Sequence, residues 1–306
     1  MAGGSGERFW PASRTTTPKH LLRLLGEQTL LEQTARRFEG IVPWERVFVL
    51  TNAAQVDASR KALPFLPAEN IVAEPAKRDT APAAALATAI AQTHDPEAIA
   101  ALFPADATIH DTEAFQRQLV DAAAFVARGD AILTFAIPPA FPSTGFGYLR
   151  LGSEVETPAG SGICLVEKFV EKPNAEMAQE FFSAGNYGWN AGMFLWKVQT
   201  FLEECVKQQP ELAAFINGFP ADGQADAVTE YLAQVFPELP KVSVDYAIME
   251  NARSVVAAKA EFDWDDVGSW TALPKHLGKN AQDNTFQGSV VQVGAENNIV
   301  VKGVRN

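Results

Sequence analysis

Short apolar runs alternate with helical patterns through the first 137 residues of the chain. The runs are rich in β-branched and aromatic residues, which predicts buried strands over residues 47–51, 71–73, 100–103 and 131–137. The segments around them predict a turn and an amphipathic helix at residues 21–38 and helices at 54–63, 80–93 and 112–127. Strands separated by helices of this length predict a mostly parallel sheet with helices on both faces. Ligands of such sheets bind at the carboxyl ends of the strands.

A glycine-rich loop lies at the start of the chain, with Gly3, Gly4 and Gly6 within four residues. The bare N–H groups of such a loop can lie directly against a ligand. Two cations follow, and they suit phosphate oxygens: Arg8 through its planar fork and Lys19 as a point charge. The loop lacks the Gly-Lys-Ser/Thr end of a P-loop and the third glycine of the dinucleotide fingerprint. It is therefore either a different phosphate-holding loop or a plain turn.

The segment before this loop is short. A glycine-rich phosphate loop normally follows a buried strand, yet only Met1 and Ala2 precede Gly3. We therefore expect the central sheet to lack most of that strand.

The composition excludes several classes of function. The 306 residues suffice for a large core, and 25 Lys and Arg against 37 Asp and Glu give a formal net charge of −12. An acidic chain is not expected to bind nucleic acid or an anionic membrane. The two cysteines, Cys164 and Cys205, lie far apart without metal-ligand spacing and suit a reducing compartment. No apolar run has the length of a membrane span and no signal peptide is visible, so we expect a cytoplasmic protein.

The second half of the chain has a less regular pattern. We predict a loop over residues 138–150, and a Gly/Asn turn over 187–193 that leads into a strand at 194–197. Further strands are predicted at 163–170 and 255–259, and helices at 175–184, 200–208, 225–235 and 244–251. Beyond residue 283, short β runs at 288–294 and 298–303 resemble the first turns of a β-helix or β-roll. The predicted domains are residues 1–278 and 279–306.

Two groups of carboxylates lie far apart in the sequence. Asp106 follows a predicted strand, whereas Asp263, Asp265 and Asp266 form a short acidic cluster. Mg²⁺ prefers a few carboxylate oxygens together with phosphate and water, so two such groups would suffice to bind it. The alternatives are a helix cap or turn for Asp106 and a solvated acidic loop for the cluster. The flanking Trp264 favours a packed site.

Several motifs together give the chain its resemblance to a known family. Gly3, Gly4, Gly6, Arg8, Pro18 and Lys19 match the first signature of the sugar-1-phosphate nucleotidyltransferases. The second signature, Phe-Val-Glu-Lys-Pro, is complete at residues 169–173. The segments 9–14 and 74–83 resemble the mannose-1-phosphate guanylyltransferase branch, with Asp79 in place of the usual Asn. The family's Pro-x-Asp, Gly-Phe-Gly-Tyr, Asn-x-Gly-x-Phe and Asp-Val-Gly-Ser-Trp elements occur at 104–106, 145–148, 190–194 and 266–270.

The resemblance implies a Rossmann-like fold of the nucleotide-diphospho-sugar transferase type: a mixed, mostly parallel sheet flanked by helices, with a short C-terminal β-helix or β-roll piece. It also implies roles for individual residues. The implied catalytic residues are Arg8, Lys19, Asp106 and Lys172. The implied nucleotide-binding residues are Ala2, Gly3, Gly4, Ser5, Gly6, Glu7, Arg8, Lys19, Glu74, Pro75, Arg78, Thr80 and Asp106. The implied sugar-phosphate ligands are Gly147, Glu171, Lys172 and Asn190, and the implied Mg²⁺ ligands are Asp106 and Asp266.

The reaction implied by the resemblance is transfer of GMP from GTP to mannose 1-phosphate, with Mg²⁺ as cofactor. The products would be GDP-mannose and pyrophosphate, and a homodimer is possible. Two alternatives stay open. One is the same chemistry with UTP, dTTP or CTP. The other is a regulatory relative that binds GDP-mannose without turnover, against which the intact charged residues count.

Overall fold

A computed structural model describes residues 1–4, 6–156, 162–221 and 223–301. The predicted nucleotide ligand Ser5 lies outside the described residues. Among the described residues, no helix combines the length and the apolar character that crossing a membrane requires.

The α-helices of the described chain vary in length from four to fifteen residues. They are α1 (Leu30–Arg36), α2 (Val56–Ala62), α3 (Thr80–His94), α4 (Thr112–Val126), α5 (Ala175–Ala184), α6 (Val198–Gln208), α7 (Pro210–Gly218), α8 (Ala225–Val235), α9 (Val244–Ala247) and α10 (Leu273–Leu277). The strands are β1 (Val49–Asn52), β2 (Ile71–Glu74), β3 (Ile99–Leu102), β4 (Ile132–Ile137), β5 (Tyr148–Glu154), β6 (Ile163–Val170), β7 (Tyr187–Lys197), β8 (Val255–Lys259), β9 (Thr285–Gln287) and β10 (Ile299–Val301).

The chain forms two compact units, each assembled from separate stretches. We call the first the sheet unit; it comprises Met1, Glu74–Pro104 and Asp111–Asp263. We call the second the loop unit; it comprises residues 2–73, 105–110 and the chain from Trp264 onward. The separation of residues 279–306 as a domain stays a prediction.

A six-stranded sheet forms the centre of the sheet unit, with the strand order β3-β7-β4-β8-β6-β5. Strands β3, β4, β5 and β8 point one way, and β6 and β7 point the other way. The predicted mixed α/β sheet flanked by helices is confirmed. Four of the six strands share one direction, as a mixed, mostly parallel sheet requires, although most hydrogen-bonded neighbours are antiparallel. Because β6 and β7 lie among the other strands, β4–β8 is the only parallel pair of this sheet in the described chain.

Strand β7 is longer than the sequence predicts. The predicted Gly/Asn turn over 187–193 is instead part of one strand, since Tyr187–Trp189 pair with β5 and Trp189 and Asn190 pair with β4. The glycines serve this pairing. Gly188 lies so close to β4 that an added Cβ would be 2.7 Å from the Cβ of Ala136, and Gly192 has a φ of +66° at a register shift. Sheet pairing therefore overrides the local turn signal.

Aromatic packing fixes β7 to the helices of the sheet unit. The rings of Trp196 and Phe201 stack with centroids 4.5 Å apart, and both side chains are fully buried. The indole N–H of Trp196 donates to the hydroxyl of Thr88 at 2.9 Å, which joins β7 to α3. Since α3 follows segment 74–80 and β7 carries Asn190, this contact holds two of the predicted binding segments to one core.

The loop unit holds the glycine-rich loop by backbone pairing at its start and by a hydrophobic core beyond its end. Ala2 pairs in parallel with Thr51, and its N–H donates to the carbonyl of Leu50 at 2.8 Å. The loop therefore starts beside β1, as expected for a loop that follows a strand. The hydrophobic core beyond the loop contains Phe9, Leu24, Leu30, Val267 and Leu273. This core anchors the chain directly after Asp266 against the residues that follow the loop.

Other boundaries differ from the predictions for local reasons. Within the predicted turn and helix at 21–38, residues 19–21 form a 3-10 turn and α1 starts at Leu30, where Thr29 caps it. Helix α7 was not predicted, although Pro210 stands at its first turn. The β run predicted at 288–294 is wrong, since β9 lies at Thr285–Gln287 and pairs in parallel with β10.

Candidate functional site

Gly6 is the sterically constrained residue of the glycine-rich loop. Its φ of +61° is left-handed, and an added Cβ would lie 2.4 Å from the backbone nitrogen of Lys19. A 3-10 turn, Glu7–Phe9, follows it, and Phe9 is fully buried against the ring of Trp270. The predicted ligands Gly3, Gly4, Glu7, Arg8 and Pro75 are exposed. The loop is thus fixed at Gly6 and Phe9, while Gly3, Gly4 and Arg8 are exposed to solvent.

The Lys19 ammonium is the central charge of the loop unit. Its side chain is only 8% exposed, and Nζ donates to Oδ2 of Asp106 at 2.9 Å. Nζ also donates to the backbone carbonyl of Asp266. The neighbouring ring of His20 is buried, and burial lowers its pKa to about 4, so His20 is neutral near pH 7. Lys19 therefore joins three distant parts of the sequence around one positive charge.

A short bridge brings the two predicted metal ligands into the same region. The backbones of Thr108 and Asp265 pair in an antiparallel bridge, with N···O distances of 2.8 and 3.1 Å. This places Asp106 and Asp266 on adjacent segments, where the charge of Asp106 helps to raise the pKa of Asp266. Burial is the main cause of that rise, and Lys19 opposes it.

Arg8 approaches Asp266 beside Gly268. A Cβ added to Gly268 would lie 3.0 Å from Oδ2 of Asp266 and 3.4 Å from a guanidinium nitrogen of Arg8. Val267, which lies between Asp266 and Gly268 in the sequence, is fully buried. Its φ of +43° is a strained conformation for a β-branched residue. Of the implied catalytic residues, the structure thus brings together Arg8, Lys19 and Asp106.

The other two aspartates of the acidic cluster have structural contacts. Asp265 accepts from Nζ of Lys275 at 2.6 Å and from the N–H of Val267 at 2.8 Å. Burial alone would raise the pKa of Asp265, but these hydrogen bonds and nearby positive charge leave it lowered. Asp263 accepts from the N–H of Asp111 at 2.7 Å. Both carboxylates are therefore engaged by hydrogen bonds within the protein.

Segment 74–80 of the sheet unit carries a perturbed carboxyl. Burial raises the pKa of Glu74 to about 7, so this group exchanges its proton near neutrality. The Nε atom of Arg78 is buried and has no hydrogen-bond partner in the described chain. The cap of α3 is Asp79, with a φ of +71°, whose carboxylate accepts from the N–H of Thr80 at 2.9 Å. Thr80 itself is the first helical residue.

The predicted sugar-phosphate ligands of the sheet unit converge as well. Nζ of Lys172 lies 2.8 Å from Oε1 of Glu171, and this hydrogen bond raises the pKa of Lys172. Gly147 leaves room for the carboxylate, since an added Cβ would lie 2.5 Å from Oε2 of Glu171. The N–H of Asn190 donates to the carbonyl of Gly147 at 2.8 Å. Lys172 has a φ of +45°, so it is, like Val267 and Asp79, a strained residue within a predicted motif.

Asp245 belongs to this group, although the sequence reasoning missed it. Its Oδ1 accepts from Nδ2 of Asn190 at 3.1 Å. Burial raises the pKa of Asp245 to about 6, the charge of Glu171 adds to the rise, and Lys172 opposes it. In the sequence, Asp245 stands out only by its position at the start of a predicted helix. A carboxylate at that position is normally explained by its interaction with the helix dipole, so it does not indicate a binding role.

The chain is similar to characterised nucleotidyltransferases over most of its length. A family model described as nucleotidyl transferase matches residues 1–282. The xanthan biosynthesis protein XanB of Xanthomonas campestris pv. campestris (strain B100) is 35% identical over 97% of this chain and 62% of the relative. A mannose-1-phosphate guanylyltransferase of Escherichia coli (strain K12) is 37% identical over 98% of this chain and 63% of the relative. The chain thus spans less than two thirds of the length of these two relatives.

A solved structure extends the similarity to the fold. It comes from Thermus thermophilus and is described as a mannose-1-phosphate geranyltransferase. It is 32% identical to this chain, with a TM-score of 0.80, and the match covers 98% of this chain and 87% of the other. One fold thus accommodates both sequences over most of their length.

The contact between Gly6 and Lys19 gives a stability prediction. Gly6→Ala is expected to lower the free energy of unfolding by more than the roughly 1–2 kcal/mol of a left-handed residue, because the new Cβ also displaces the Lys19 backbone. Urea denaturation measures the loss. Gly26→Ala, with a φ of +105° and open space, isolates the conformational cost, and Gly4→Ala has neither constraint. Equal losses for Gly6→Ala and Gly26→Ala would show that the Lys19 contact adds nothing.

Proposed function

The chain belongs to the nucleotidyl transferase family, and from this membership we propose that it transfers GMP from GTP to mannose 1-phosphate, giving GDP-mannose and pyrophosphate. The observation that carries the proposal is the buried Lys19 ammonium, bonded to Asp106 and to the backbone of Asp266 beside the glycine-rich loop. The similarity to a mannose-1-phosphate guanylyltransferase of Escherichia coli supports the choice of substrates.

The loop unit has the groups that a triphosphate needs. Exposed N–H groups at Gly3 and Gly4 and the guanidinium of Arg8 would bind its phosphate oxygens. Lys19 is held in place before substrate arrives, so it adds positive charge without a reorganisation cost. As the bond between the α-phosphorus and the bridging oxygen breaks, negative charge moves to the leaving pyrophosphate. Arg8 and Lys19 would stabilise that charge.

Nucleotidyltransferases of this family typically use a divalent metal. Asp106 and Asp266 fit a hard cation such as Mg²⁺, since both offer carboxylate oxygens and their mutual repulsion favours a bound positive charge. In the described chain no three His, Cys, Asp or Glu side chains form a metal-binding group, so phosphate oxygens and water would complete the ligand set. When bound, the metal supplies neutralisation of the triphosphate charge.

The sheet unit has the groups that a sugar phosphate and a base need. Lys172 would bind the phosphate of mannose 1-phosphate, while Glu171, Asn190 and Gly147 would hold its hydroxyls. An oxygen of this phosphate forms the new bond to the α-phosphorus of GTP, and the electron pair of the broken bond leaves with pyrophosphate. The attacking group is already anionic, so no general base is required. Glu74 would accept from the guanine N–H groups.

The reaction itself is tested by pyrophosphate release. We expect release with GTP and mannose 1-phosphate in the presence of Mg²⁺, and slower release with UTP, dTTP or CTP. A faster reaction with another nucleotide would assign a different base. Binding of GDP-mannose without any turnover would identify a regulatory protein instead. A homodimer and a cytoplasmic location remain parts of this proposal, and the first can be measured by light scattering.

The metal assignment predicts the effect of two neutral substitutions. Asp106→Asn and Asp266→Asn are each expected to lower kcat by ~10²-fold or more, because each removes a charge that positions the metal. Initial rates over a Mg²⁺ titration measure the effect, and circular dichroism checks the fold. Asp57→Asn, an exposed aspartate of the loop unit, is the control. Near-normal rates and Mg²⁺ dependence in either variant would contradict the assignment.

If Lys172 binds the sugar phosphate and not the nucleotide, its removal should affect the two substrates differently. Lys172→Ala is expected to weaken mannose 1-phosphate binding about ten- to a hundredfold, because a charged hydrogen bond contributes roughly 1.5–3 kcal/mol. Lys172→Arg is expected to recover only part of this loss, since a planar fork does not replace a point charge. Calorimetric titrations of each substrate measure both effects, with exposed Lys168→Ala on β6 as control. An equal loss of GTP affinity would place Lys172 in the nucleotide site.

A further inference from the structure

Asp245 is held at a fixed place in the sheet unit by the start of helix α3. The N–H of Val244 donates to the hydroxyl of Thr80 at 2.8 Å, and the N–H of Ala81 donates to the carbonyl of Val242 at 3.1 Å. Ser243 caps the short helix α9, and Asp245 lies in its first turn. The backbone on which Asp245 stands is therefore anchored independently of the carboxylate.

The hydrogen bonds of Asn190 determine which end of its amide faces Asp245. The Oδ1 atom accepts from the backbone N–H of Gly192 at 3.1 Å, and a backbone N–H can only donate. The hydroxyl of Thr134 also lies 3.1 Å from Oδ1. The Nδ2 group consequently faces Asp245, and its bond to Oδ1 of Asp245 uses one of its two N–H donors.

The carboxylate of Asp245 retains hydrogen-bonding capacity. Two ionised oxygens offer about four acceptor positions, and Asn190 and the backbone N–H of Asp245 take two of them. Glu171 and Lys172 are the charged groups that face it, and Glu250 lies close enough to interact with Glu171. Keeping a second carboxylate beside Glu171 is electrostatically costly, as the raised pKa of Asp245 shows. Such a cost is typical of groups retained for a ligand.

We infer that Asp245 is a specificity-determining residue that accepts a hydrogen bond from a ring hydroxyl of the sugar phosphate, alongside Glu171. The inference rests on the proposed function, because it concerns the acceptor substrate of that reaction. Two carboxylates and an oriented amide suit a polyhydroxyl ring, whose hydroxyls both donate and accept. A site built to bond a substrate hydroxyl discriminates strongly against an analogue that lacks it, because the buried acceptor is then left unpaired.

The simplest competing explanation is structural, with Asp245 serving only to orient Asn190. Asp245→Asn separates the two roles, because the new amide oxygen still accepts from Asn190 while the charge and one acceptor oxygen are lost. Asp245→Ala removes both functions. The matched control is Asp226→Asn, since Asp226 occupies the same first-turn position in α8 and is exposed. Urea denaturation of all three variants measures any change in stability.

The experiment measures kcat/KM of the wild type and of each variant with mannose 1-phosphate and with analogues that lack the 2-, 3-, 4- or 6-hydroxyl. In the wild type, removal of the hydroxyl that Asp245 reads is expected to lower kcat/KM by about tenfold or more. In Asp245→Asn the same removal should change kcat/KM by less than about threefold, while the KM for GTP stays constant. Asp226→Asn should retain the wild-type response to every analogue.

Two results overturn the inference. One is a response to all four analogues that is the same in the wild type and in Asp245→Asn. The other is impairment of Asp245→Ala alone, by an equal factor for every substrate, which indicates orientation of Asn190. Calorimetric binding of the same sugar phosphates without nucleotide repeats the comparison without turnover. Absence of wild-type pyrophosphate release would thus refute the proposed reaction separately, and absence of any sugar-phosphate binding would refute the role of Asp245 as well.

Discussion

The buried ammonium of Lys19 is the interaction on which the loop unit depends. A side chain that is only 8% exposed needs partners for its charge. Lys19 has the Asp106 carboxylate and the Asp266 carbonyl as partners, so a shift of either segment would take a hydrogen bond from the ammonium. Gly6 packs on the backbone of the same residue. Contacts to Lys19 therefore hold the glycine-rich loop together with the segments that carry Asp106 and Asp266.

Three of the five non-glycine residues with left-handed φ in the described chain lie in motifs of the candidate site, and the other two, Asp283 and Asn297, lie in the C-terminal segment. Asp79, Lys172 and Val267 all have left-handed φ values, and none of them is a glycine. Each such residue costs of order 1–3 kcal/mol and persists only where the surroundings determine it. At Asp79 the capping bond to Thr80 supplies part of that support, and at Val267 the buried side chain does so. Strain of this kind directs a neighbouring polar group to a required position, here Asp266 beside Val267.

Sequence patterns predicted the elements whose signals are local. Helix α5 and strands β6 and β8 have the predicted bounds, because capping residues and apolar periodicity mark their ends. Strand β7 was misjudged, since its pairing with β4 and β5 depends on residues distant in sequence. The motif residues of the candidate site follow from resemblance, whereas Asp245 does not. Its importance appears only when β7 places Asn190 3.1 Å away, a contact between residues 55 positions apart.

The loop unit is assembled from three separate stretches of the chain, and this affects the order in which its contacts can form during synthesis. Lys19 leaves the ribosome early, yet its carbonyl partner at Asp266 is 247 residues further along the chain. Segment 105–110 must also join this unit while the chain on either side of it belongs to the other. Contacts of such long sequence separation form slowly, because the entropy of closing the loop must be lost before they form. The ammonium group of the nascent chain therefore stays without its Asp266 partner until the ribosome has added these 247 residues, so this part of the site cannot assemble earlier.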